Sequence, residues 1–135
     1  EIEYENVEVS LEWKTQNSMV AMGGVYIRYP GSGDPNENAY KIQLANDFGI
    51  APDNFSTGAL FKEESAEVNA VKPAGEWNTL VLRAHGPDLV VTINGKKVLE
   101  TVAVSPDKSK KGYVALDGVA GGITYRKILV SELPD

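Results

Sequence analysis

The stretch that most constrains the fold lies at residues 75–100, where two turn signals separate three short segments of alternating apolar and polar residues. One turn signal covers residues 85–88, and the other is Asn94-Gly95. Asn-Gly is the strongest short hairpin signal, because both turn positions need a positive φ that these two residues adopt at least cost. The centre of the chain is therefore predicted to be an antiparallel meander of three strands, at 77–84, 89–93 and 96–100.

The same alternation continues on both sides of the meander and predicts further strands at 4–14, 23–29, 40–45, 58–62, 112–117 and 123–133. The last of these changes phase between Tyr125 and Ile128, which predicts a β-bulge. Residues 63–70 are the one place where a helical turn is expected. Such a run of short strands predicts a single all-β domain over residues 1–135, a two-sheet antiparallel β-sandwich or jelly roll, with Trp13 and Trp77 in its core.

Composition excludes several classes of protein. The chain has no cysteine, which excludes disulfides and cysteine-based metal or redox sites. With 13 basic and 19 acidic residues its formal net charge is -6, which argues against nucleic acid as a partner. No apolar run approaches the roughly 18 residues of a membrane helix, so no membrane insertion is expected.

Strand parity predicts a polar and aromatic patch on one face of a sheet, provided that three of the strands share that sheet. If the apolar positions of strands 23–29, 40–45 and 112–117 point into the core, the alternate positions must point the other way. Arg, Gln and carboxylate groups hydrogen-bond sugar hydroxyls, and aromatic rings pack on the CH faces of sugars. Such a surface suits a carbohydrate ligand, and a merely solvated outer sheet face is the alternative. The outward positions are Tyr26, Arg28, Lys41, Gln43, Tyr113 and Asp117.

Catalytic candidates are few. A glycosidase needs two carboxyl groups roughly 5 to 10 Å apart. Asp117 is the acid of the predicted patch and the candidate acid or base, while loops could bring Asp47 or Glu76 near it. Gln43 and Arg28 would then position the substrate. His85, the only histidine, is interpreted as a turn residue.

No cofactor is expected, with one alternative at the loop that precedes the strand at 40–45. Asp34, Asn36 and Asn38 alternate there, as the oxygen ligands of a calcium ion often do. Asp and Asn are equally typical of any surface turn. Calcium binding by these three residues is therefore kept as a hypothesis.

Several segments spread over most of the chain form an ordered set: 4–14, 24–30, 40–44, 57–61, 69–79, the Asn94-Gly95 turn and 112–133, among which 72–78 is the most specific. Together these segments resemble, in order, the 3-keto-disaccharide hydrolase domain family, a bacterial jelly-roll family related to the concanavalin A-like lectins and glucanases. The resemblance implies two antiparallel sheets, a concave face that meets sugar, and hydrolysis of 3-keto-glycosides. It also implies an exported, periplasmic or extracellular, location in a bacterium.

The chain departs from the family pattern at three places. Family members usually carry additional strands before the one at 4–14, and an acidic residue where Lys41 stands. They have Gln, Asp and His where this chain has Asp117, Gly118 and Val119. Because such groups are expected to perform acid, base or metal chemistry, catalytic competence is left open.

The favoured hypothesis is a carbohydrate-interacting jelly-roll domain, associated with other domains of a larger exported protein and either catalytically degenerate or not. Two alternatives from other classes stay open. One is an active hydrolase of 3-keto-glycosides, and the other is a structural or protein-interaction module.

Overall fold

A computed structural model of the chain describes residues 2–16, 21–118 and 122–135. Within these ranges the chain forms eight β-strands and one helical turn, arranged as two antiparallel sheets, which confirms the predicted all-β sandwich. The elements are β1 Val7–Thr15, β2 Met22–Tyr29, α1 Pro35–Asn38, β3 Tyr40–Ala45, β4 Asn78–His85, β5 Asp88–Ile93, β6 Lys96–Val102, β7 Tyr113–Asp117 and β8 Ile123–Glu132.

The larger sheet has five strands in the order β6-β5-β4-β1-β8, and the smaller has three in the order β3-β2-β7. β1 pairs with β4 from Val7 opposite Ala84 to Trp13 opposite Asn78, and its other edge pairs with β8. β4, β5 and β6 follow one another in both sequence and space, which confirms the predicted meander.

The β5–β6 turn has the conformation that Asn-Gly predicts. Asn94 has a φ of 52° and Gly95 a φ of 79°. The Asn94 side chain accepts a hydrogen bond from the backbone N–H of Thr79 at 2.9 Å and donates one to the carbonyl of Ala70 at 2.8 Å. The turn residue therefore also ties the hairpin to the loop before β4.

The core lies between the sheets and is built by alternation. Every second residue of β1 from Val7 to Thr15 is buried, and the ring of Trp13 is fully enclosed, as predicted. The prediction that Trp77 is a core residue is wrong. Asn78 holds the first inward position of β4 instead, so Trp77 stays half-buried, with the Arg126 guanidinium carbon 3.7 Å from its ring centroid.

Other local predictions have mixed outcomes. The bulge in β8 is confirmed by a register shift against β1 and by a φ of 55° at Lys127. The segment 58–62 forms only isolated bridges through Leu60 rather than a full strand. The helical turn lies at Pro35–Asn38 rather than in 63–70, because Asp34 caps it and Pro35 suits the first helical position.

No helix among the described residues is long and apolar enough to cross a membrane.

Gly112 makes a close backbone approach that can be tested. A Cβ at this position would fall 2.4 Å from the backbone carbon of Arg28 and 2.5 Å from the carbonyl oxygen of Tyr29. We expect Gly112→Ala to lower the free energy of unfolding by about 3 kcal/mol, since two backbones would have to separate. The measurement is urea denaturation followed by circular dichroism.

Gly75→Ala is the matched control. Gly75 has a φ of 89° but nothing within 4 Å of an added Cβ, so only the left-handed conformation is penalised, by about 1 kcal/mol. Equal losses in the two variants would contradict the steric explanation.

Candidate functional site

The three strands of the predicted patch share one sheet. Across that sheet, Gly24 of β2 is paired with Gln43 of β3 and with Asp117 of β7, and Tyr26 is paired with Lys41. Residues paired side by side project to the same face. The prediction that separate segments bring these polar residues to one layer is therefore met for Tyr26, Lys41, Gln43 and Asp117.

The centre of this face is a hydrogen-bonded group that we call the Asp117 cluster, made of Tyr26, Asn36, Lys41 and Asp117. The ammonium of Lys41 lies 3.1 Å from Asp117 Oδ2. The hydroxyl of Tyr26 lies 3.4 Å from the same oxygen and donates to Asn36 Oδ1 at 2.8 Å. The Lys41 ammonium thus holds the carboxylate, while the single proton of the Tyr26 hydroxyl goes to Asn36 and its oxygen lies beside Asp117 Oδ2.

Exposure within the cluster is very uneven. Tyr26 and Lys41 are buried, whereas the side chain of Asp117 is 45% exposed. The ring of Phe61 covers Lys41, with 4.6 Å between its centroid and the ammonium, and Phe55 packs edge-on against Phe61. The face is therefore a mostly covered polar layer in which Asp117 remains accessible, rather than the open patch that parity alone predicts.

Gln43 and Gly24 complete the buried part of this layer. Gln43 is buried, and its Oε1 has no hydrogen-bond partner among residues 2–16, 21–118 and 122–135. Gly24 leaves room for its neighbour, since a Cβ there would fall 2.9 Å from Lys41 Cε. The Lys41 side chain can lie over β2 at this position because Gly24 has no side chain.

The other sheet also positions Asp117. The hydroxyl of Tyr125, from β8, donates to the carbonyl of Asp117 at 2.6 Å and accepts from the N–H of Gly24 at 3.2 Å. Burial raises the pKa of Tyr125, so this hydroxyl keeps its proton. Sequence reasoning missed Tyr125, Asn36 and Phe61, because each reaches the cluster from outside the three strands whose parity was considered.

The outward orientation predicted for Arg28 is wrong. A register shift lies between Tyr26 and Tyr29, and Arg28 within it has a φ of 58°. This bulge turns the guanidinium away from the Asp117 cluster, and it donates to the carbonyls of Glu5 and Gly86 at 2.9 Å and 2.7 Å.

The remaining predicted residues lie apart from the cluster. Tyr113 is half-buried at the start of β7, paired with Tyr29 and beside Gly31. Asp47 is a structural acceptor, because the backbone N–H and hydroxyl of Thr57 donate to its carboxylate at 2.8 Å and 2.7 Å. Among the described residues, neither Asp47 nor Glu76 contacts Asp117.

Two further positions relate to a catalytic histidine: His85, the only histidine, and Val119, which stands where the resemblance implies one. His85 Nε2 lies 2.9 Å from the carbonyl of Pro134, a contact that ties the β4–β5 turn to the C-terminal segment. Val119 lies outside the described residues.

The three candidate calcium ligands serve local structure. Asp34 Oδ1 accepts the N–H of Asn36 as the cap of α1, Asn36 belongs to the Asp117 cluster, and Asn38 donates to the carbonyl of Ser32. Within the part of the chain that the structure describes, no group of three or more His, Asp or Glu is placed to hold a metal ion. Calcium at Asp34, Asn36 and Asn38 stays a hypothesis.

Comparison with known proteins agrees with this geometry. The two antiparallel sheets define a jelly-roll sandwich of the concanavalin A-like type. Residues 1–131 match the family described as the 3-keto-alpha-glucoside-1,2-lyase-like domain, and the chain belongs to that family. No functionally curated protein matches the chain.

Solved structures extend the comparison. A candidate glycosyl hydrolase from Parabacteroides distasonis is similar with a TM-score of 0.84 and 28% identity, over 98% of this chain and 80% of that one. The carbohydrate-binding module CBM66 from Bacillus subtilis has a TM-score of 0.71 at 8% identity, covering 97% of this chain and 78% of the module. The galectin LEC-6 from Caenorhabditis elegans has a TM-score of 0.63 at 16% identity, covering 96% and 84%. The last two share the fold alone.

The structure also relates two of the departures from the family pattern. Lys41 and Asp117 stand where the resemblance implies an acid and a glutamine, and in this chain they form an ion pair with each other. Relative to the family pattern, the negative charge on β3 is replaced by a positive one at Lys41, and β7 carries the opposite charge at Asp117.

The Tyr26 hydroxyl predicts how stability depends on pH. Burial and the negative charge of Asp117 raise the pKa of Tyr26 to about 12, whereas unfolded tyrosine ionises near 10. The folded state therefore holds this proton more tightly, and its stabilising contribution is complete below pH 10 and lost as pH rises from about 10 to 12. We expect the free energy of unfolding to fall across that window, measured by urea denaturation at each pH.

Tyr26→Phe should remove part of this fall, while Tyr29→Phe, at an exposed hydroxyl, should leave it unchanged. A wild-type and a Tyr26→Phe curve that run parallel through the window would contradict the assignment.

Proposed function

We propose that this domain binds a carbohydrate on the outer face of the three-stranded sheet, at the Asp117 cluster. The observation that carries the proposal is the half-exposed Asp117 carboxylate, paired with the buried ammonium of Lys41 at 3.1 Å. A carboxylate accepts at two oxygens, so Oδ1 and the remaining lone pairs of Oδ2 are available to sugar hydroxyls.

Pre-organisation supports this proposal. The carboxylate is already oriented by its partners, so a ligand does not have to order it on binding. Hydrogen bonds to a charged group are also about twice as strong as those between neutral groups. One fixed carboxylate is therefore a better anchor for a hydroxyl than several mobile surface side chains.

Aromatic groups lie at the same face. Phe55 is exposed and packs edge-on against Phe61, with 5.7 Å between their centroids, and Phe61 in turn covers Lys41. Sugars present CH faces as well as hydroxyls, and aromatic rings pack against those faces. A saccharide held by Asp117 on one side and by the exposed ring on the other matches both chemistries.

The comparisons support the proposed class of ligand and the proposed location. Membership of the 3-keto-alpha-glucoside-1,2-lyase-like family supports a glucoside, in particular one oxidised at carbon 3. The similarity to a candidate glycosyl hydrolase is consistent with this class. An exported, periplasmic or extracellular, domain of a larger protein is proposed on the same basis.

Isothermal titration with a 3-keto-glucoside and with its unoxidised parent tests the binding site. We expect Asp117→Asn to weaken binding at least tenfold, because the charge-assisted hydrogen bonds are lost. Asp88→Asn, at an exposed acid of the five-stranded sheet, is the matched control and should bind normally.

Two outcomes would contradict the site. Binding that is unchanged in Asp117→Asn would place the sugar elsewhere, and the absence of binding to both sugars would favour a structural or protein-interaction module.

A second candidate function is elimination from a 3-keto-glucoside. The ketone at carbon 3 acidifies the hydrogen on carbon 2, and one accessible carboxylate is enough to remove it. Asp117 would take that proton as the C1–O bond breaks, the electron pair forming a C1–C2 double bond and the leaving oxygen taking a proton from water. Hydrolysis requires a second carboxyl group. Among the described residues, the one other carboxylate hydrogen-bonded to a member of the cluster is that of Asp34, and its Oδ1 is engaged by the backbone N–H of Asn36 as the cap of α1, which favours elimination.

A 3-keto-glucoside with a nitrophenyl leaving group tests this activity. We expect release of nitrophenol, at least 100-fold slower in Asp117→Asn and unchanged in Asp88→Asn, since loss of a general base typically costs 10²–10⁴. An unsaturated sugar product supports elimination, and a 3-keto-glucose formed without it supports hydrolysis. Equal release by Asp117→Asn would exclude Asp117 as the base while leaving the binding proposal to its own test.

A further inference from the structure

A second concave feature lies at the end of the sandwich where Arg28 points. It is a cavity of about 530 Å³ bordered by the end of β2, the start of β3, the β4–β5 turn and the loop after β6. Small-molecule sites typically occupy about 300–1,000 Å³. Its lining residues are Glu5, Arg28, Tyr40, Gly86, Pro87, Ala103, Val104, Ser105, Pro106, Lys108 and Lys110.

Arg28 is an unusual cation. It is 3% exposed, and all its hydrogen bonds go to the backbone carbonyls of Glu5 and Gly86, through Nε and Nη2. Among the described residues, neither a carboxylate pairs with this guanidinium nor any acceptor contacts Nη1. Buried charges are ordinarily paired, because desolvation without a counter-ion is costly. Burial accordingly lowers the pKa of Arg28 from its usual value.

The backbone is also strained where it directs this side chain. Arg28 has a φ of 58° inside the β2 bulge, a conformation that non-glycine residues seldom adopt and that is concentrated at functional sites. Without the bulge, strand alternation would put the guanidinium on the same face as Tyr26. The bulge therefore delivers an unpaired cation to the cavity.

Two lysines from the loop after β6 add to the positive charge. The Lys108 ammonium lies 5.0 Å from the ring centroid of Tyr40 and 2.8 Å from Glu63, and the side chain is only 12% exposed. Lys110 is exposed at the rim. Glu5 opposes them from the other side, so the cations outnumber the carboxylates by one even when Glu63 is counted.

The rest of the wall is apolar and suits a ring. Pro87 and Pro106 contribute exposed ring surfaces. Tyr40 is buried beneath the cations, with the Arg28 guanidinium carbon 6.0 Å and the Lys108 ammonium 5.0 Å from its ring centroid. The Tyr40 hydroxyl accepts the N–H of Ser105 at 2.9 Å, which fixes the loop against β3. Apolar walls with a few placed polar groups are typical of small-molecule sites.

We propose that this cavity binds a small organic anion of monosaccharide size, a sugar carrying a carboxylate, with the carboxylate at Arg28, Lys108 and Lys110 and the ring against Pro87 and Pro106. A positive cavity on a chain of net charge -6 concentrates anions locally against the overall field. The site is separate from the Asp117 cluster and does not depend on it, because the β2 bulge sends Arg28 away from that cluster.

The experiment is a titration of the full chain with glucuronate, followed through the amide signals of Arg28, Ser105 and Lys108 by NMR. Glucose serves as the uncharged match, and sulfate serves as an anion without a ring. We expect saturable binding of glucuronate, at least tenfold weaker binding of glucose, and sulfate weaker than glucuronate. Binding should also weaken as salt is raised.

Substitutions of charged residues at the rim should change glucuronate binding in opposite directions without changing the fold. Lys110→Ala should weaken glucuronate binding roughly threefold and Glu5→Gln should tighten it roughly threefold, as for partly exposed charges. Lys96→Ala, an exposed lysine on β6 outside the cavity, is the control and should change nothing. Asp117→Asn should also leave this binding unchanged, which separates the result from the fate of the proposed carbohydrate site.

The proposal is overturned if glucuronate does not saturate these signals, if glucose binds as tightly, or if Lys110→Ala and Glu5→Gln have no effect. Sulfate binding as tightly as glucuronate would overturn the sugar ring as part of the ligand. Loss of glucuronate binding in Asp117→Asn would place the anion at the other site.

Discussion

The rest of the structure depends on β1, which pairs with a neighbouring strand on each edge and buries every second side chain in the core. The strand is hydrogen-bonded on both edges, to β4 and to β8, so its register cannot shift without breaking two ladders. Its inward residues Val7, Val9, Leu11 and Trp13 are each at most 3% exposed. Because a shift of one residue would move all four to the solvent face, burial fixes the register, and the five-stranded sheet becomes a rigid base for the smaller one.

The polar layer on the smaller sheet shows how the rigid five-stranded sheet supports the candidate site at Asp117. Taking Lys41 out of water is costly unless a counter-ion is supplied, and Asp117 on a different strand supplies it at 3.1 Å. The pair is asymmetric, since the ammonium is buried and the carboxylate is half exposed. Removing the carboxylate would strand a buried cation, whereas removing the lysine would leave an acid that water can still solvate. The exposed partner is therefore the one that can meet a ligand.

One bulge separates two proposed binding sites along β2. Up to Tyr26 the strand follows regular alternation and contributes to the Asp117 cluster. At Arg28 a positive φ inverts the direction of the side chain, and the guanidinium enters the cavity at the end of the sandwich. Two neighbouring polar residues of one strand thus belong to two different surfaces, each with its own sign of charge and its own proposed ligand.

The sequence by itself determined eight of the nine predicted strands, the Asn94-Gly95 hairpin, the bulge in β8 and the class of fold, because alternation and turn chemistry act over a few neighbouring residues. Parity within each strand also set the direction of Tyr26, Lys41, Gln43 and Asp117, but it was the tertiary structure that brought β2, β3 and β7 into one sheet and these residues onto one face. Only the tertiary structure decided that loop 53–62 and α1 cover most of that face, that Tyr125 reaches Asp117 from the other sheet, and that Arg28 points elsewhere. Those features depend on contacts between residues far apart in the chain and on a backbone bulge, which no local pattern at Arg28 signals. Trp77 lies outside the core because the buried positions of β4 begin at Asn78 and alternate from there, which puts position 77 on the opposite face.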